Sequence, residues 1–247
     1  MAETSSTQIT IQTLGDSSVF SEGTMLYPPV NLLRILVYIL LEGRGRAVPR
    51  RVIGDLIWSD NGAEQASADI RQSLVRIRRF QEQHGLHLLS GDMLMLWLIP
   101  DASVSIDLAE FIELMGKPLS SAWVRMCELY RGDLLSSLRP AGEGFEEWLA
   151  HQRSVLRYNF VSSITRAVMP DSELNANDRY FCATALLKVD PYHEGAERAV
   201  MTSAAENGQL SYVRESFEEF TRRLRDDLGV PPDPETISLY RRLVDRV

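Results

Sequence analysis

Arginine is concentrated in two short stretches of the first hundred residues. Eight of the nine basic residues there fall in these stretches, which hold Arg44, Arg46, Arg50 and Arg51 and then Arg71, Arg76, Arg78 and Arg79. Guanidinium groups form paired hydrogen bonds with phosphate oxygens and with the edge of guanine. This clustering in an otherwise acidic chain predicts a local surface that binds anions, and nucleic acid is the first candidate.

The acidic charge lies mainly in the second part of the chain. The 247 residues carry a formal charge of -8, but residues 1–100 have 9 Arg against 10 acidic residues, whereas residues 101–247 have 17 basic against 24 acidic residues. A nearly neutral segment with focused arginines binds a polyanion locally even when it is joined to an acidic one. The net charge therefore does not exclude DNA as a partner.

Cysteine usage and the absence of apolar segments long enough to span a membrane predict a soluble, cytoplasmic protein. Cys127 and Cys182 are 55 positions apart within apolar helical patterns, which favours two buried free thiols over a disulfide. Met1–Thr7 lacks the features of a signal peptide, and the longest apolar run, Leu32–Leu41, contains Arg34 and is too short to span a bilayer. No membrane partner is expected.

The arginines lie among elements whose order is informative. Short β-prone pieces with turn signals at Gly15-Asp16 and Glu22-Gly23 predict a small antiparallel sheet over residues 8–27. Apolar periodicity, Gly43 as a helix cap and Pro49 in a first helical turn then predict three helices and a hairpin. These elements are Asn31–Glu42, Val48–Trp58, Ala66–Gln83 and a hairpin of Leu86–Leu89 with Met93–Ile99.

The helix Ala66–Gln83 is predicted to be amphipathic. Its apolar positions Ile70, Leu74, Ile77 and Phe80 turn inward, which leaves a polar face that consists of Arg71, Gln72, Arg76 and Arg79. Arg78 lies nearer the apolar stripe and is ranked below Arg76 and Arg79. With Arg50 and Arg51 of the preceding helix, this face forms the predicted DNA-binding site.

Two helices joined by a short loop and followed by a hairpin are the layout of a winged helix-turn-helix. Pro100-Asp101 marks a boundary, so residues 1–100 are predicted to form the winged domain. Residues 101–247 are predicted to be helical, with Asp190-Pro191 and Asp233-Pro234 starting helices and Gly208 and Gly229 ending them. The predicted helices lie near residues 107–116, 120–130, 145–168, 175–189, 192–206, 210–228 and 234–246. The fold class is mainly α with a small β component, and the second domain is a tetratricopeptide-like helical array.

Several motifs in this order resemble the antibiotic regulatory protein family of transcriptional activators. The stretches that carry the resemblance are Val48–Trp58, Ala68–Arg79, Leu129–Leu135, Phe145–Leu149, Leu187–Glu194, Leu228–Val230, Pro234–Thr236 and Leu239–Tyr240. The resemblance implies an OmpR-type winged helix followed by a bacterial transcriptional activator domain. It also implies binding of dimers to double-stranded DNA, with Arg71, Gln72, Arg76 and Arg79 on the helix that enters the major groove. The loop Ser59–Gln65 is then where RNA polymerase is approached.

Two positions depart from that family. Asp69 stands near the start of the predicted recognition helix, where the family more often has asparagine, and is read as an acid of the first helical turn. The hairpin Asp92–Ile99 carries no positive charge, although relatives usually have a basic residue there. An apolar hairpin is either packed on the helical domain or used against a partner protein, which weakens the case for DNA.

No catalytic or metal site is predicted. His84 and His87 lack further ligands at a suitable spacing, no nucleophile signature is found, and Gly43 with Gly45 does not make a phosphate-binding loop. Trp58, Trp123 and Trp148, with three tyrosines, are interpreted as core. The leading hypothesis is a sequence-specific DNA-binding activator without a cofactor, whose helical domain dimerises or takes a protein partner or small effector. The alternative is a protein-interaction adaptor of the same architecture that has lost strong DNA binding.

Overall fold

The computed structural model describes residues 8–117 and 119–245. Met1–Thr7, for which the sequence predicts no signal peptide, lie outside the described residues. The chain divides into two compact units, the first made of Met1–Glu113 with Leu129–Val155 and the second of Leu114–Glu128 with Leu156–Val247. The described residues are mainly helical, and the strands lie in the first unit.

A four-stranded sheet opens the first unit. Its strands are β1 (Ile9–Gln12), β2 (Ser18–Ser21), β3 (Thr24–Leu26) and a later strand, β7 (Val104–Ile106). The order is β3-β2-β1-β7, with β7 parallel to β1 and the other pairs antiparallel. Ile9 and Ile11 of β1 point into the core and alternate with half-buried polar residues. The predicted turn at Glu22-Gly23 is present, and both residues have positive φ, as a tight hairpin turn requires.

The first helix ends differently from the prediction. Helix α1 (Val30–Tyr38) is buried through Leu32–Tyr38 and continues as a π-helical turn over Ile39–Gly43. The left-handed residue that ends it is Arg44, with φ 48°, and not Gly43 as predicted. Gly43 instead allows the end of this helix to pack closely on Val48, because a Cβ at Gly43 would lie 3.1 Å from a methyl group of Val48.

Val48 and Pro49 form strand β4 (Val48–Pro49) instead of the first turn of a helix. They pair with Leu96 and Met95 of β6 (Met95–Leu98), which also pairs with β5 (Leu89–Gly91). The predicted hairpin is present, but its first strand lies later in the chain than the predicted Leu86–Leu89. Helix α2 (Arg50–Ile57) therefore starts two residues later than the sequence indicated. The pairing partner lies almost fifty residues away, so local periodicity could not reveal this strand.

Helix α3 (Ala63–His84) is 22 residues long and begins three residues before the predicted start. Its buried stripe consists of Ala66, Ile70, Ser73, Ile77, Phe80 and Gln81, and Leu74 is only half-buried. Gly85, with φ +64°, ends the helix in the left-handed conformation. The three helices α1, α2 and α3 pack on one another ahead of the β5–β6 hairpin.

The remaining helices follow the predicted pattern to within a few residues. They are α4 (Asp107–Leu114), α5 (Ser120–Leu129), α6 (Glu143–Ala167), α7 (Ala176–Val189), α8 (Glu194–Glu206), α9 (Leu210–Arg223), which continues as a π-helical turn over Leu224–Leu228, and α10 (Pro234–Val244). In the second unit, successive helices from α7 to α10 pack side by side.

One helix start was predicted at the wrong residues. Asp190 ends α7 instead of starting α8, and the N-cap of α8 is His193, whose Nδ1 accepts a hydrogen bond from the Ala196 amide at 3.0 Å. The start of α10 at Asp233-Pro234 is as predicted, and Gly208 and Gly229 have the positive φ expected after helices.

The first unit extends past the predicted boundary at residue 100. Strand β7 completes the N-terminal sheet, and Asp107 directly after it accepts hydrogen bonds from the backbone amides of Thr13 and Leu14 at 2.8 and 3.0 Å. Arg131 also lies 3.4 Å from this carboxylate. These contacts explain why residues on both sides of position 100 share one core.

Candidate nucleic-acid interface

The predicted basic face of α3 is exposed. Arg71, Gln72, Arg76 and Arg79 all point away from the buried stripe. Because seven residues return a helix to within about 20° of the same direction, Gln72 and Arg79 lie in one row along the helix.

Arg78 belongs to this surface as well. Arg71 and Arg78 are seven residues apart, so they form a second row beside that of Gln72 and Arg79, and both are exposed. The sequence ranks Arg78 below Arg76 and Arg79 because its position lies nearer the apolar stripe. Since Leu74 is only half-buried, the buried stripe lies farther from Arg78 than expected.

Acidic residues are sparse on this helix. Between Gln65 and Gln81 the only acid is Asp69. Its carboxylate accepts hydrogen bonds from Asn61 Nδ2 at 2.9 Å and Gln65 Nε2 at 3.0 Å, which ties it to the preceding loop. Its interpretation as an acid of the first turn was wrong, because α3 begins earlier and Glu64 is the first-turn acid.

Arg50 and Arg51 start α2 and differ in environment. The Arg51 side chain is 87% exposed and pairs with Asp55 at 3.3 Å. Arg50 is half-buried against the hairpin, where its backbone amide donates to the Leu94 carbonyl at 2.8 Å. Its buried Nε has no hydrogen-bond partner among the described residues.

A cleft of about 370 Å³ brings three of the predicted site residues together. It lies between α2, the first half of α3 and the hairpin tip, and its lining includes Arg50, Arg51, Arg71, Met93 and Leu94. The hydrogen bond from Arg71 to the Ser67 carbonyl uses only Nε. Gln72, Arg76 and Arg79 do not line this cleft and lie farther along α3.

The tip of the hairpin is apolar and ordered by its own turn. Met93 is 89% and Leu94 74% exposed. Asp92 Oδ1 accepts hydrogen bonds from the amides of Leu94 and Met95, both at 2.8 Å. These bonds, with a smaller contribution from Arg50, hold the pKa of Asp92 below its usual range.

The loop between α2 and α3 makes contacts that the sequence did not suggest. Ser59 Oγ accepts from the Gly144 amide at 2.8 Å, and Asp60 Oδ1 accepts from the Glu143 amide at 2.9 Å. Both amides belong to the first turn of α6, so the loop caps that helix. A Cβ at Gly142 would lie 2.6 Å from Ser59 Oγ. The two glycines on either side of Glu143 were therefore the sequence feature that could have indicated a close contact at the start of α6.

The possible metal ligands and the two cysteines are the other candidate groups. In the part of the chain that the structure describes, no group of three His, Cys, Asp or Glu residues could hold a metal ion. Cys127 and Cys182 are free and buried, and despite their distance in sequence their thiols are neighbours. The hydrogen bond between them and burial raise the pKa of the Cys127 thiol.

The aromatic residues predicted as core are only partly so. Trp58, Trp123 and Trp148 are half-buried, whereas Tyr130 is buried. The indole Nε1 of Trp148 donates to Glu42 Oε1 at 2.8 Å, and its ring lies 5.0 Å from that of Tyr38. Trp148 therefore packs at the edge of the core.

The second unit contains a groove of about 710 Å³. It lies between the end of α6, one side of α8 and α10, with Ala199 and Leu239 among its apolar lining. Arg179, Arg198 and Arg242 supply positive charge, and Arg198 is engaged by Thr236 at 3.0 Å and Glu235 at 3.3 Å. Over residues 8–117 and 119–245, no helix is long and apolar enough to cross a membrane.

Comparison with known proteins identifies the second part of the chain. The structure resembles Mycobacterium tuberculosis EmbR in complex with a low affinity phosphopeptide, with a TM-score of 0.59 and 19% sequence identity. The similarity covers 97% of this chain and 66% of the EmbR chain. A comparison with curated proteins gives no match. Residues 124–244 match the family described as bacterial transcriptional activator domain, and the chain therefore carries such a domain.

Proposed function

We propose that the protein is a sequence-specific DNA-binding transcriptional regulator that acts as an activator. The observation that carries this proposal is the exposed face of α3, on which four arginines and a glutamine stand together with a single, hydrogen-bonded acid nearby. The matched activator domain supports a role in transcription. The fold shared with EmbR agrees with it.

The first unit is proposed to be a winged helix-turn-helix with α3 as the recognition helix. Helices α2 and α3 are joined by a short loop and followed by the β5–β6 hairpin, which is the order this motif requires. Arg71 to Arg79 span about 12 Å along the helix axis, and base pairs of B-DNA are about 3.4 Å apart along the duplex. The site therefore fits three or four base pairs.

The roles of the side chains follow from their chemistry. Arg71, Arg76 and Arg79 are suited to guanine O6 and N7 or to phosphates, and Gln72 to adenine N6 and N7. Arg50 and Arg51 at the start of α2 are suited to phosphates, which fix register without reading sequence.

The second unit is proposed to mediate dimerisation and to receive a protein partner or small effector. The groove between α6, α8 and α10 has a volume suited to a small ligand. Contact with RNA polymerase is proposed for Asn61–Gln65, which covers the end of the α2–α3 loop and the start of α3, because Ser59 and Asp60 already bind α6.

The test is DNA binding at several salt concentrations, measured by fluorescence anisotropy on fragments selected from a genomic library. Binding should weaken steeply with salt, with a log-log slope near -0.9 for each phosphate neutralised. Arg76→Ala and Arg79→Ala should each weaken binding about tenfold or more without loss of fold. The exposed Arg214 of α9 offers a matched control, since Arg214→Ala should leave binding unchanged. An adaptor that does not bind DNA would show neither selected fragments nor a salt slope, and that result would overturn the proposal.

A further inference from the structure

The tip of the β5–β6 hairpin exposes two large apolar side chains side by side. Met93 is 89% exposed and Leu94 74% exposed, the largest fraction for any methionine and any leucine among the exposed apolar residues described. Apolar side chains projecting from a hairpin lose the stabilisation that burial provides, about 1.5 to 3 kcal/mol for each. A rigid apolar projection of this kind calls for a specific contact.

The tip is held in place from both sides. Asp92 Oδ1 accepts from the Leu94 and Met95 amides, and the Leu94 carbonyl accepts from the Arg50 amide at 2.8 Å. Gly91 at the base of the turn has no room for a side chain, since a Cβ there would lie 2.5 Å from the Met95 carbonyl oxygen. The two apolar side chains are therefore presented by a fixed backbone.

The charge around the tip is positive. Arg50, Arg51 and Arg71 share the 370 Å³ cleft with Met93 and Leu94. Asp92 accepts hydrogen bonds from the backbone amides of Leu94 and Met95, and Asp55, which also lines the cleft, is paired with Arg51. A flat apolar patch with no charge near it would not indicate a polyanion, but this tip is flanked by three guanidinium groups.

The size of the patch decides between a protein and a nucleic acid as its partner. A stable protein–protein interface buries about 800 Å² on each side, which two side chains cannot supply. By contrast, proteins that kink DNA insert one or two apolar side chains between base steps through the minor groove. A helix as wide as α3 fits only the major groove, which leaves a hairpin beside it to reach a neighbouring minor groove.

We propose that Met93 and Leu94 form an apolar wedge that enters the minor groove and partly unstacks one base step. Arg50 and Arg51 bind the phosphates on either side of that step. This inference rests on the proposed DNA-binding function and adds that binding bends the duplex at a position α3 does not contact.

The experiment compares wild-type protein with the double variant Met93→Ala/Leu94→Ala on a selected fragment. Bending is measured by energy transfer between dyes at the fragment ends. Unstacking is measured by the fluorescence of 2-aminopurine placed in turn at each adenine. The double variant should lose the bend and the 2-aminopurine signal and bind about tenfold more weakly, with an unchanged salt slope because no charge is removed.

Two further variants make the result specific. Met25→Ala removes another exposed methionine, from β3, and should change neither bending nor affinity. Met93→Lys should steepen the salt slope by about 0.9 while it reduces the bend, because a lysine binds a phosphate but does not insert between stacked bases.

The outcomes separate the wedge from the function on which it rests. If the wild-type protein shows no salt-dependent binding, both proposals are overturned. If it binds but the double variant bends and unstacks DNA equally well, the wedge alone is overturned, and a partner protein becomes the occupant of the tip.

Discussion

Replacing Asp107 should destabilise the first unit strongly. Its carboxylate is 4% exposed and accepts from the Thr13 amide and hydroxyl at 2.8 and 2.7 Å, the Leu14 amide at 3.0 Å and the Leu108 amide at 2.7 Å. Asp107→Ala leaves these buried donors without an acceptor. Each unsatisfied buried group costs about 1 to 3 kcal/mol, and partial relaxation puts the total near 3 to 5 kcal/mol.

The assay is urea unfolding followed by tryptophan fluorescence, which reports mainly on the first unit because Trp58, Trp97 and Trp148 lie in it. Asp107→Asn keeps one acceptor oxygen and should lose less stability than the alanine variant. The exposed Glu82 of α3 provides the control, since Glu82→Ala should change stability by no more than about 0.5 kcal/mol. A loss below about 1 kcal/mol for Asp107→Ala would refute the claim that this carboxylate joins β7 to β1.

Three other changes test separate parts of the structure. Burial raises the pKa of Glu197 above its ordinary 4.5, so the stability that this group contributes is present below pH 4.5 and is lost as the pH rises through the raised value. Glu197→Gln retains an acceptor for the Ser216 hydroxyl. In parallel urea titrations this variant should therefore be more stable than wild type only toward neutral pH. Gly91→Ala forces a methyl group against the Met95 carbonyl oxygen and should reduce the free energy of unfolding by about 1 to 3 kcal/mol, which lowers the thermal midpoint. An unchanged midpoint would contradict the close approach of this carbonyl to Gly91. Ser59→Ala removes a cap of α6 and should cost about 1 kcal/mol in urea unfolding, whereas no loss would show that the loop does not support that helix.

Local sequence patterns predicted most helices but not the contacts that join them. The helices from α4 to α10 were found within a few residues of their expected bounds, because apolar periodicity and caps act over one or two turns. Val48 and Pro49 were placed in a helix because their pairing with Leu96 and Met95 depends on residues far along the chain. For the same reason, local patterns do not predict the hydrogen bonds that Asp107 accepts from Thr13 and Leu14 after β1, or the one that Ser59 accepts from α6.

The candidate site was predictable in its composition but not in its geometry. Periodicity placed Arg71, Gln72, Arg76 and Arg79 on one face, and the structure leaves all four exposed. Periodicity also puts Arg78 nearer the apolar stripe, whereas in the structure Arg78 is exposed and Leu74, four residues before it, is only half-buried. Whether a leucine on the margin of a helix is covered depends on the neighbouring elements, which the helix's own sequence does not encode.

The positive charge beside the uncharged hairpin tip depends on the same long-range pairing. Strand β4 pairs with β6, and the first residue of α2 then donates its amide to Leu94. This brings Arg50 and Arg51 to the hairpin tip, so α2 supplies positive charge beside it. The tip itself is thereby left to apolar side chains, and its lack of charge no longer counts against DNA binding. The double variant Arg50→Ala/Arg51→Ala should therefore bind selected DNA with a salt slope reduced by about 1.8, because two phosphate contacts are lost. An unchanged slope would contradict the role of these two arginines at the hairpin tip.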